Sequence, residues 1–257
     1  MSQRSNTATT VGINSVRTAL KFGYEGVVEL WLDRTRRDRR LAELAAMARQ
    51  AGIAVRQISR DELDQIAEGG NHQGALAWVR MPAALTEQDL ELLLETIEQP
   101  PLLLVLDGVT DPHNLGACLR SADGAGATAV MAPKDKAVGL TPVAVKVASG
   151  AAESVPFVQV TNLARTLDAL KAHGLWLIGL ADRAPSTLFE TDLLGPTALV
   201  LGSEGTGLRR LTQERCDLLA SLPMRGRVES LNVSVAAGIC LYEAVRQRVQ
   251  SAERGTM

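Results

Sequence analysis

The chain has 257 residues, of which 46% are hydrophobic, so it is long enough for one large or two ordinary globular domains. It contains no run of about 18 apolar residues and no apolar block after a basic start, which argues against membrane insertion and export and predicts a cytoplasmic protein. The net charge of -2 hides a mildly basic start: residues 1–80 carry 12 Lys and Arg against 9 Asp and Glu, whereas residues 81–98 carry five acids and no base. An excess this small does not by itself indicate a nucleic-acid partner.

The three cysteines are Cys118, Cys216 and Cys240. They lie far apart in the sequence and show no spacing typical of metal ligands. We therefore expect reduced, structural thiols and no metal site.

The first part of the chain predicts a small α/β domain over residues 11–80, preceded by a disordered tail at residues 1–10 that is rich in Ser and Thr. Helical spacing around Val16 and Leu20 is followed by an extended apolar run at 27–32 and a second helix over 41–48. A strand at 53–58, a helix capped by Ser59 and a closing strand at 75–79 complete the domain.

Residues 81–100 are bounded by prolines and predict a short helical linker, with an amphipathic stretch at 85–97. The second domain is predicted at 101–250, with a tail at 251–257. Apolar runs recur there and alternate with helix-length segments, at 102–106, 128–132, 155–160, 175–180 and 198–201. This alternation is typical of a parallel α/β sheet with strands buried on both faces.

A polar loop follows the first strand of the second domain and contains Asn114 and Arg120. Parallel sheets bind ligands at the carboxyl ends of their strands, and a spacing of six residues can bring both side chains to one end of the sheet. The alternative reading makes Asn114 a helix cap and Arg120 a solvated surface residue.

A second loop, GSEGTG, follows the apolar run at 198–201 and holds Glu204 between glycines that permit close approach to a ligand. It is not the GxGxxG fingerprint of a dinucleotide-binding fold, which should follow the first strand. It is not a GxSxG hydrolase elbow either, and no histidine follows it in the chain.

A third loop passes through Ser230 and Asn232 into a helix that is apolar on nearly every face as far as Leu241. Such a helix must be buried, in a core or against a partner chain. Locally, Ser230 also suits an ordinary N-cap.

Together, DPHNLGACLRSADGAGA, LVLGSEGTGLRR and SLNVSVAAGICLYEAVRQR resemble the three ordered motifs of the SpoU/TrmH branch of the SPOUT methyltransferases. The N-terminal segments GINSV at 12–16 and NHQG at 71–74 resemble the ribosomal-protein-like RNA-binding domain of bacterial 23S ribosomal RNA guanosine-2'-O-methyltransferases. The resemblance covers roughly residues 11–250.

The resemblance implies a parallel sheet with a deep trefoil knot in the second domain, a homodimer built through the C-terminal helix, and S-adenosylmethionine as methyl donor. Connection rules alone would predict an unknotted, open sheet. Main-chain groups of the knotted loops hold the donor in this family. Carried over to this sequence, the donor-binding residues are Leu201, Gly202, Leu222, Met224 and Leu231.

The resemblance also implies ribose 2'-O-methylation with no metal, carried out by Arg120, Asn114, Glu204, Ser230 and Asn232. An ordinary arginine stays protonated and cannot act as a base. We therefore expect Arg120 to orient the ribose or its phosphate and to stabilise developing negative charge, with Glu204 anchoring it or a neighbouring donor.

For RNA contact, Asn71, His72 and Gln73 are the candidates that match the family. Arg36 and Arg37 belong to a basic cluster at a strand-to-helix junction, which could equally be a solvated helix start.

The alternatives are a methyltransferase that acts on transfer RNA or on another ribosomal site, and a non-catalytic RNA-binding assembly factor. Intact candidate residues in all three motifs weigh against loss of catalysis.

Overall fold

The computed structural model describes residues 7–22 and 26–255. Its strands are β1 Thr7–Val11, β2 Val27–Asp33, β3 Ala54–Ile58, β4 Ala75–Arg80, β5 Leu102–Asp107, β6 Ala129–Pro133, β7 Phe157–Val160, β8 Trp176–Leu180, β9 Ser186–Thr187, β10 Thr197–Gly202 and β11 Leu218–Ser221. Its helices are α1 Ile13–Phe22, α2 Arg39–Gln50, α3 Arg60–Ala67, α4 Glu87–Thr96, α5 Pro112–Gly124, α6 Pro142–Ala148, α7 Ala151–Ser154, α8 Leu163–Ala172, α9 Arg210–Arg215 and α10 Val233–Gly255.

Contacts divide the chain into two units. The first unit comprises the residues up to Ala83 together with Leu140–Ser154, and the second comprises Ala84–Gly139 and the chain from Val155 onward. The predicted boundaries of 11–80 and 101–250 did not anticipate that the segment at 140–154, with α6 and α7, groups with the first unit. Within that unit, Lys146 Nζ donates to the carbonyl oxygen of Ala67 at the end of α3, at 3.2 Å.

The first unit is built on a mixed four-stranded sheet in the order β1-β4-β2-β3. The central strand β4 runs antiparallel to both β1 and β2, while β3 runs parallel to β2. Its core includes Leu30, Leu44, Leu63 and Leu76, all fully buried. The predicted helix after Ser59 begins with a capping box, in which Ser59 and Glu62 satisfy each other's main-chain amides.

The predicted tails were wrong where the structure describes them. Thr7–Val11 forms the edge strand β1, which pairs with β4 and buries Ala8 and Thr10 on alternate positions. Helix α10 continues through the predicted tail as far as Gly255. The remaining tail residues, 1–6 and 256–257, lie outside the described residues.

The second unit confirms the predicted parallel sheet. Its seven strands lie in the order β7-β6-β5-β10-β8-β11-β9, and every paired neighbour is parallel. The inner strand β5 is buried along its whole length, as its continuous apolar run predicts. The predicted linker helix α4 also belongs here, because Leu90 is 2% exposed within the core of this unit.

The middle of this sheet determines where a ligand can bind. Strand β10 pairs with β5, with Gly202 opposite Asp107 at their carboxyl ends. The chain leaves β5 towards β6 on one side, whereas it leaves β10 towards β11 on the other. Loops that part in opposite directions above two adjacent strands create the crevice in which open α/β sheets bind ligands.

Candidate active site

Three candidate side chains from three different motifs meet at this crevice, and we call them the polar cluster: Asn114, Glu204 and Asn232. Asn114 Nδ2 donates to Glu204 Oε1 at 3.1 Å. Asn232 Nδ2 lies 2.9 Å from Asn114 Oδ1 and 2.6 Å from Glu204 Oε1. Residues separated by up to 118 positions are thus joined in one network, which the linear sequence does not reveal.

Asn114 enters the cluster because of how α5 begins. Asp111 caps this helix through its side chain, which accepts a hydrogen bond from His113 N at 2.8 Å, and Pro112 occupies the first turn. The cap is therefore Asp111 and not Asn114. Asn114 is left to project inward, where it is 8% exposed.

Glu204 lies at the tip of a tight loop after β10. Gly207 N donates to the carbonyl oxygen of Ser203 at 2.9 Å and closes the loop. A Cβ atom at Gly202 would overlap the main chain of Gly207, so only glycine permits this fold-back. The loop thereby presents the Glu204 carboxylate at the crevice.

Asn232 has two tasks. Its Oδ1 accepts hydrogen bonds from Ser234 N at 3.0 Å and Ser234 Oγ at 2.6 Å, which makes it the cap of α10. Its Nδ2 donates to the other two members of the polar cluster. The cap that local sequence suggested for Ser230 therefore belongs to Asn232.

All described hydrogen bonds to the Glu204 side chain end on Oε1, which also accepts from Val233 N at 3.3 Å. Within residues 7–22 and 26–255, Oε2 makes no hydrogen bond. The carboxylate is thus fixed in orientation through Oε1, while Oε2 has no hydrogen bond from the described residues.

A cavity of about 260 Å³ lies beside the cluster. Glu204 and Ser230 both line it. The five residues predicted to hold the methyl donor also line it, namely Leu201, Gly202, Leu222, Met224 and Leu231.

The charge of this cavity is one-sided. Its lining contains the carboxylates of Asp182, Glu204 and Glu229 and no Lys, Arg or His. Asp182 and Glu229 are exposed, and neither side chain is paired within the described part of the chain. A cavity of this kind favours a cationic ligand over a polyphosphate.

Asp182 and Glu229 were not among the residues predicted to bind the donor. Asp182 follows β8 at the same carboxyl edge of the sheet, so the rule that located Asn114 and Glu204 could have found it. Glu229 directly precedes Ser230 in the third motif, but nothing in its local pattern distinguishes it from a solvated acid.

Arg120 is not part of the polar cluster. It is exposed on α5, it does not line the cavity, and its guanidinium makes no ion pair or hydrogen bond with the described residues. Glu204 therefore anchors neighbouring amides and not this arginine. An unpaired exposed guanidinium remains available to a ligand from outside the chain.

In the first unit, the two N-terminal motifs come together. Gln73 Oε1 accepts from Ile13 N at 3.3 Å, and the Gln73 carbonyl accepts from Arg36 Nη1 at 2.8 Å. Asn71 and Gln73 are exposed, so their remaining amide groups face solvent.

His72 lies in the interior and is 6% exposed. Its Nδ1 accepts from Gly74 N at 3.0 Å, and its Nε2 is 2.9 Å from Asp64 Oδ1. With both ring nitrogens engaged, His72 supports the loop and is not placed for direct RNA contact.

A second cavity, of about 540 Å³, lies in the first unit beside α2. We call it the arginine cavity because Arg36, Arg37, Arg39 and Arg49 line it. Asp38 pairs with Arg36 and Glu43 pairs with Arg39. By contrast, the guanidinium groups of Arg37 and Arg49 have no protein partner among the described residues.

The cysteines and the possible metal ligands complete the description of the reactive side chains. The three cysteines are free, and burial raises the pKa of Cys118 and Cys240 to about 12 and that of Cys216 to about 11. Within the described ranges, no group of three or more His, Cys, Asp or Glu side chains is arranged to hold a metal ion. None of the described helices combines the length and apolar character needed to span a membrane.

Two family comparisons cover most of the chain. Residues 101–242 match the SpoU rRNA Methylase family, and residues 10–84 match the family described as RNA 2'-O ribose methyltransferase substrate binding. The first match covers the polar cluster and the cavity, and the second covers the arginine cavity.

Individual proteins resemble the chain over nearly its whole length. The 23S rRNA (guanosine-2'-O-)-methyltransferase RlmB of Pseudomonas putida is 54% identical over 92% of this chain and 95% of its own. The corresponding protein of Haemophilus influenzae is 52% identical over 93% of this chain and 98% of its own. Among solved structures, the SpoU methyltransferase AviRb from Streptomyces viridochromogenes in complex with AdoMet aligns with a TM-score of 0.77, at 28% identity, over 96% of this chain and 92% of that chain.

Proposed function

The chain belongs to the SpoU rRNA Methylase family, and we propose that it transfers a methyl group from S-adenosylmethionine to the ribose 2'-hydroxyl of a guanosine in 23S ribosomal RNA. The observation that carries this proposal is the acid-lined cavity beside the polar cluster at the crevice of the sheet. The choice of substrate is supported by the names of the relatives that are 52–54% identical over nearly the whole chain.

The cavity has the chemistry that the donor requires. S-adenosylmethionine supplies an electrophilic methyl group on a sulfonium and carries a net positive charge. Asp182 and Glu229 favour that charge, while Leu222 and Leu231 offer apolar walls for the adenosine. The same acids would repel nucleoside polyphosphates.

The polar cluster suits a weakly acidic nucleophile. A ribose hydroxyl must share its proton with an acceptor that is already in place, since a mobile acceptor adds an orientation cost. Asn114 and Asn232 hold Glu204 through Oε1. We assign Glu204 Oε2 as the acceptor of the hydrogen bond from the 2'-hydroxyl, with Ser230 at the wall of the same cavity.

Arg120 takes a different role in this proposal. It binds the ribose or its neighbouring phosphate from outside the polar cluster and stabilises the negative charge that develops on the ribose oxygen. Its exposure and its lack of a described protein partner support this assignment.

In this proposal, the first unit binds the RNA substrate. Arg37 and Arg49 contact phosphates at the arginine cavity, and the exposed amides of Asn71 and Gln73 contact unpaired bases. Arg36 and His72 hold the loop at residues 71–74 in shape through the hydrogen bonds described above.

We further propose that the protein is a homodimer and that its second unit carries a trefoil knot. Val235, Tyr242 and Val249 repeat every seven residues along α10 and are each 51–52% exposed, which leaves an apolar stripe for a second copy. Sedimentation that finds only monomers of 27.4 kDa at micromolar concentration would contradict the dimer.

The proposed knot is supported by three segments of the chain that line the same cavity, around residues 180–182, 201–207 and 222–236, as expected of the knotted family.

The proposed reaction is tested by mapping ribose methylation across ribosomal and transfer RNA in cells with and without the protein. We expect one guanosine of 23S ribosomal RNA to lose its methyl group. A change only in transfer RNA, or at another ribosomal site, would replace the proposed substrate. No change, together with no binding of S-adenosylmethionine by calorimetry, would leave a non-catalytic RNA-binding protein.

A further inference from the structure

Asp107 is an ionisable side chain in the core of the second unit to which the proposed reaction assigns no role. It is the last residue of β5 and is completely buried. Burying a carboxylate is costly unless it is paired and hydrogen-bonded. Asp107 lies at the carboxyl end of β5, beside the crevice of the sheet.

The partner of Asp107 is Arg209, which directly precedes α9. Asp107 Oδ2 accepts from Arg209 N at 2.9 Å, and Oδ1 forms an ion pair with Arg209 Nε at 3.4 Å but no hydrogen bond with the described residues. The residue after Asp107 makes room for this pair: Gly108 has a φ of +86°, and a Cβ there would lie 3.1 Å from Arg209 Nη2. The guanidinium thus lies directly over the glycine.

The same guanidinium reaches a third loop. Arg209 Nη2 donates to the carbonyl oxygen of Lys136 at 3.3 Å, in the loop after β6. Val138 N donates to the carbonyl of Val109 at 2.8 Å, which joins the loops after β5 and β6 a second time. One arginine therefore connects the loops that follow β5, β6 and β10.

Two of those loops carry the polar cluster. The loop after β5 leads into α5 and Asn114, and the loop after β10 holds Glu204 at its tip. Gly202 fixes the start of the second loop, since its register partner is Asp107. Its end is fixed where the Asp107 carboxylate accepts from the main-chain amide of Arg209. Glu204 is thus held between two anchor points that both involve Asp107.

We infer that Arg209, held by the buried carboxylate of Asp107, is a positioning residue. It fixes the loop after β10 that holds Glu204, and with it one wall of the cavity proposed to bind the methyl donor, here called the donor cavity. This inference rests on the proposed function for the identity of the donor. Its structural part, the fixing of the loop, does not depend on any ligand.

The first experiment measures the loop without a ligand. Hydrogen exchange at the amides of Gly207 and Arg209 should accelerate by about tenfold in Arg209→Ala. The main-chain bond from Arg209 to Asp107 remains in this variant, but the ion pair with Asp107 and the bond to the Lys136 carbonyl are lost, so the loop opens locally more often. Arg210→Ala is the matched control, since the neighbouring Arg210 is exposed and pairs with Glu214 within its own helix. Unchanged exchange in Arg209→Ala would overturn the inference whatever the ligand is.

The second experiment measures S-adenosylmethionine binding by calorimetry, at a temperature where circular dichroism shows each variant to be folded. We expect Arg209→Ala to bind about tenfold more weakly and Arg209→Lys to recover only part, because an ammonium cannot reach both Asp107 and the Lys136 carbonyl. Asp107→Asn combined with Arg209→Ala should weaken binding no more than the more damaging single change, as expected of coupled residues.

The outcomes separate the two proposals. Wild-type affinity in folded Arg209→Ala, or effects of the two changes that multiply, would overturn the positioning role while leaving the donor assignment intact. Failure of both the wild-type protein and Arg210→Ala to bind S-adenosylmethionine would overturn the proposed function, and hydrogen exchange would still decide the role of Arg209.

Discussion

The acid-lined cavity of the second unit and the arginine cavity of the first unit differ in the net charge of their linings. The cavity of the second unit is lined by three carboxylates and no basic side chain, whereas the arginine cavity of the first unit is lined by four arginines and two carboxylates, Asp33 and Asp38. A cationic donor and an anionic RNA cannot share one electrostatic environment without cost. We interpret the separation as a division of labour that lets each ligand meet a complementary surface.

Their construction differs as well. Glycine-dependent loops shape the second-unit cavity, and Glu204 is held there by amide groups from Asn114 and Asn232. In the arginine cavity, Arg37 and Arg49 are exposed and unpaired within the described chain. A preorganised site suits chemistry, whereas long, mobile cations suit phosphates whose positions vary.

The largest expected effect concerns Arg120, which lies outside both cavities. Arg120→Ala should lower single-turnover methylation by a factor on the order of a hundred or more, the scale of losing a charge-stabilising group. Donor binding should stay unchanged, because Arg120 does not line the donor cavity. Arg120→Lys should recover little, since an ammonium lacks the planar fork of the guanidinium.

The assay for Arg120 uses saturating donor and RNA, so that only the chemical step is measured. A single-turnover rate within about threefold of wild type, far short of the loss expected for such a group, would return Arg120 to the class of solvated surface residues.

The features that the sequence predicted differ between the two units. Periodicity predicted the parallel sheet of the second unit, because strands buried on both faces are continuously apolar. It did not predict β1, because TATTV buries only Ala8 and Thr10 and reads as a polar tail. The grouping of residues 140–154 with the first unit also escaped prediction, since it depends on contacts distant in sequence.

The site shows the same limit. Motifs located Asn114, Glu204 and Asn232, but which side chain caps a helix and which faces a ligand depends on local geometry. Asp111 caps α5, where the alternative reading had placed Asn114, and Asn232 caps α10, where the local sequence suggested Ser230. His72 matched the family pattern for RNA contact, yet its ring is used inside the fold.

An intermediate effect is expected at the arginine cavity. Replacing both Arg37 and Arg49 by alanine should weaken RNA binding by about tenfold at moderate salt, because two phosphate contacts are lost. The slope of log affinity against log salt should fall by about two, whereas donor binding should stay the same. Filter binding over a salt series measures both quantities.

Arg60→Ala is the matched control for the arginine cavity, since Arg60 is 74% exposed in the same unit and does not line it. An equal loss of RNA affinity in this control would mean that general positive charge, and not the arginine cavity, attracts RNA.

The smallest expected effect tests the acidic side of the comparison. S-adenosylmethionine carries a net positive charge, whereas its demethylated product, S-adenosylhomocysteine, is neutral overall. An exposed carboxylate a few ångströms from a unit charge contributes about 1 kcal/mol, because water screens the interaction. Asp182→Asn should therefore weaken binding of the donor by about fivefold and binding of the product by less than about twofold.

Asp135→Asn provides the control, since Asp135 is an exposed carboxylate in the same unit that does not line the cavity. Calorimetry with both ligands decides between the readings. Equal weakening of donor and product by Asp182→Asn would show that the carboxylate shapes the cavity without sensing charge, and the electrostatic contrast between the two cavities would then have no part in selecting the donor.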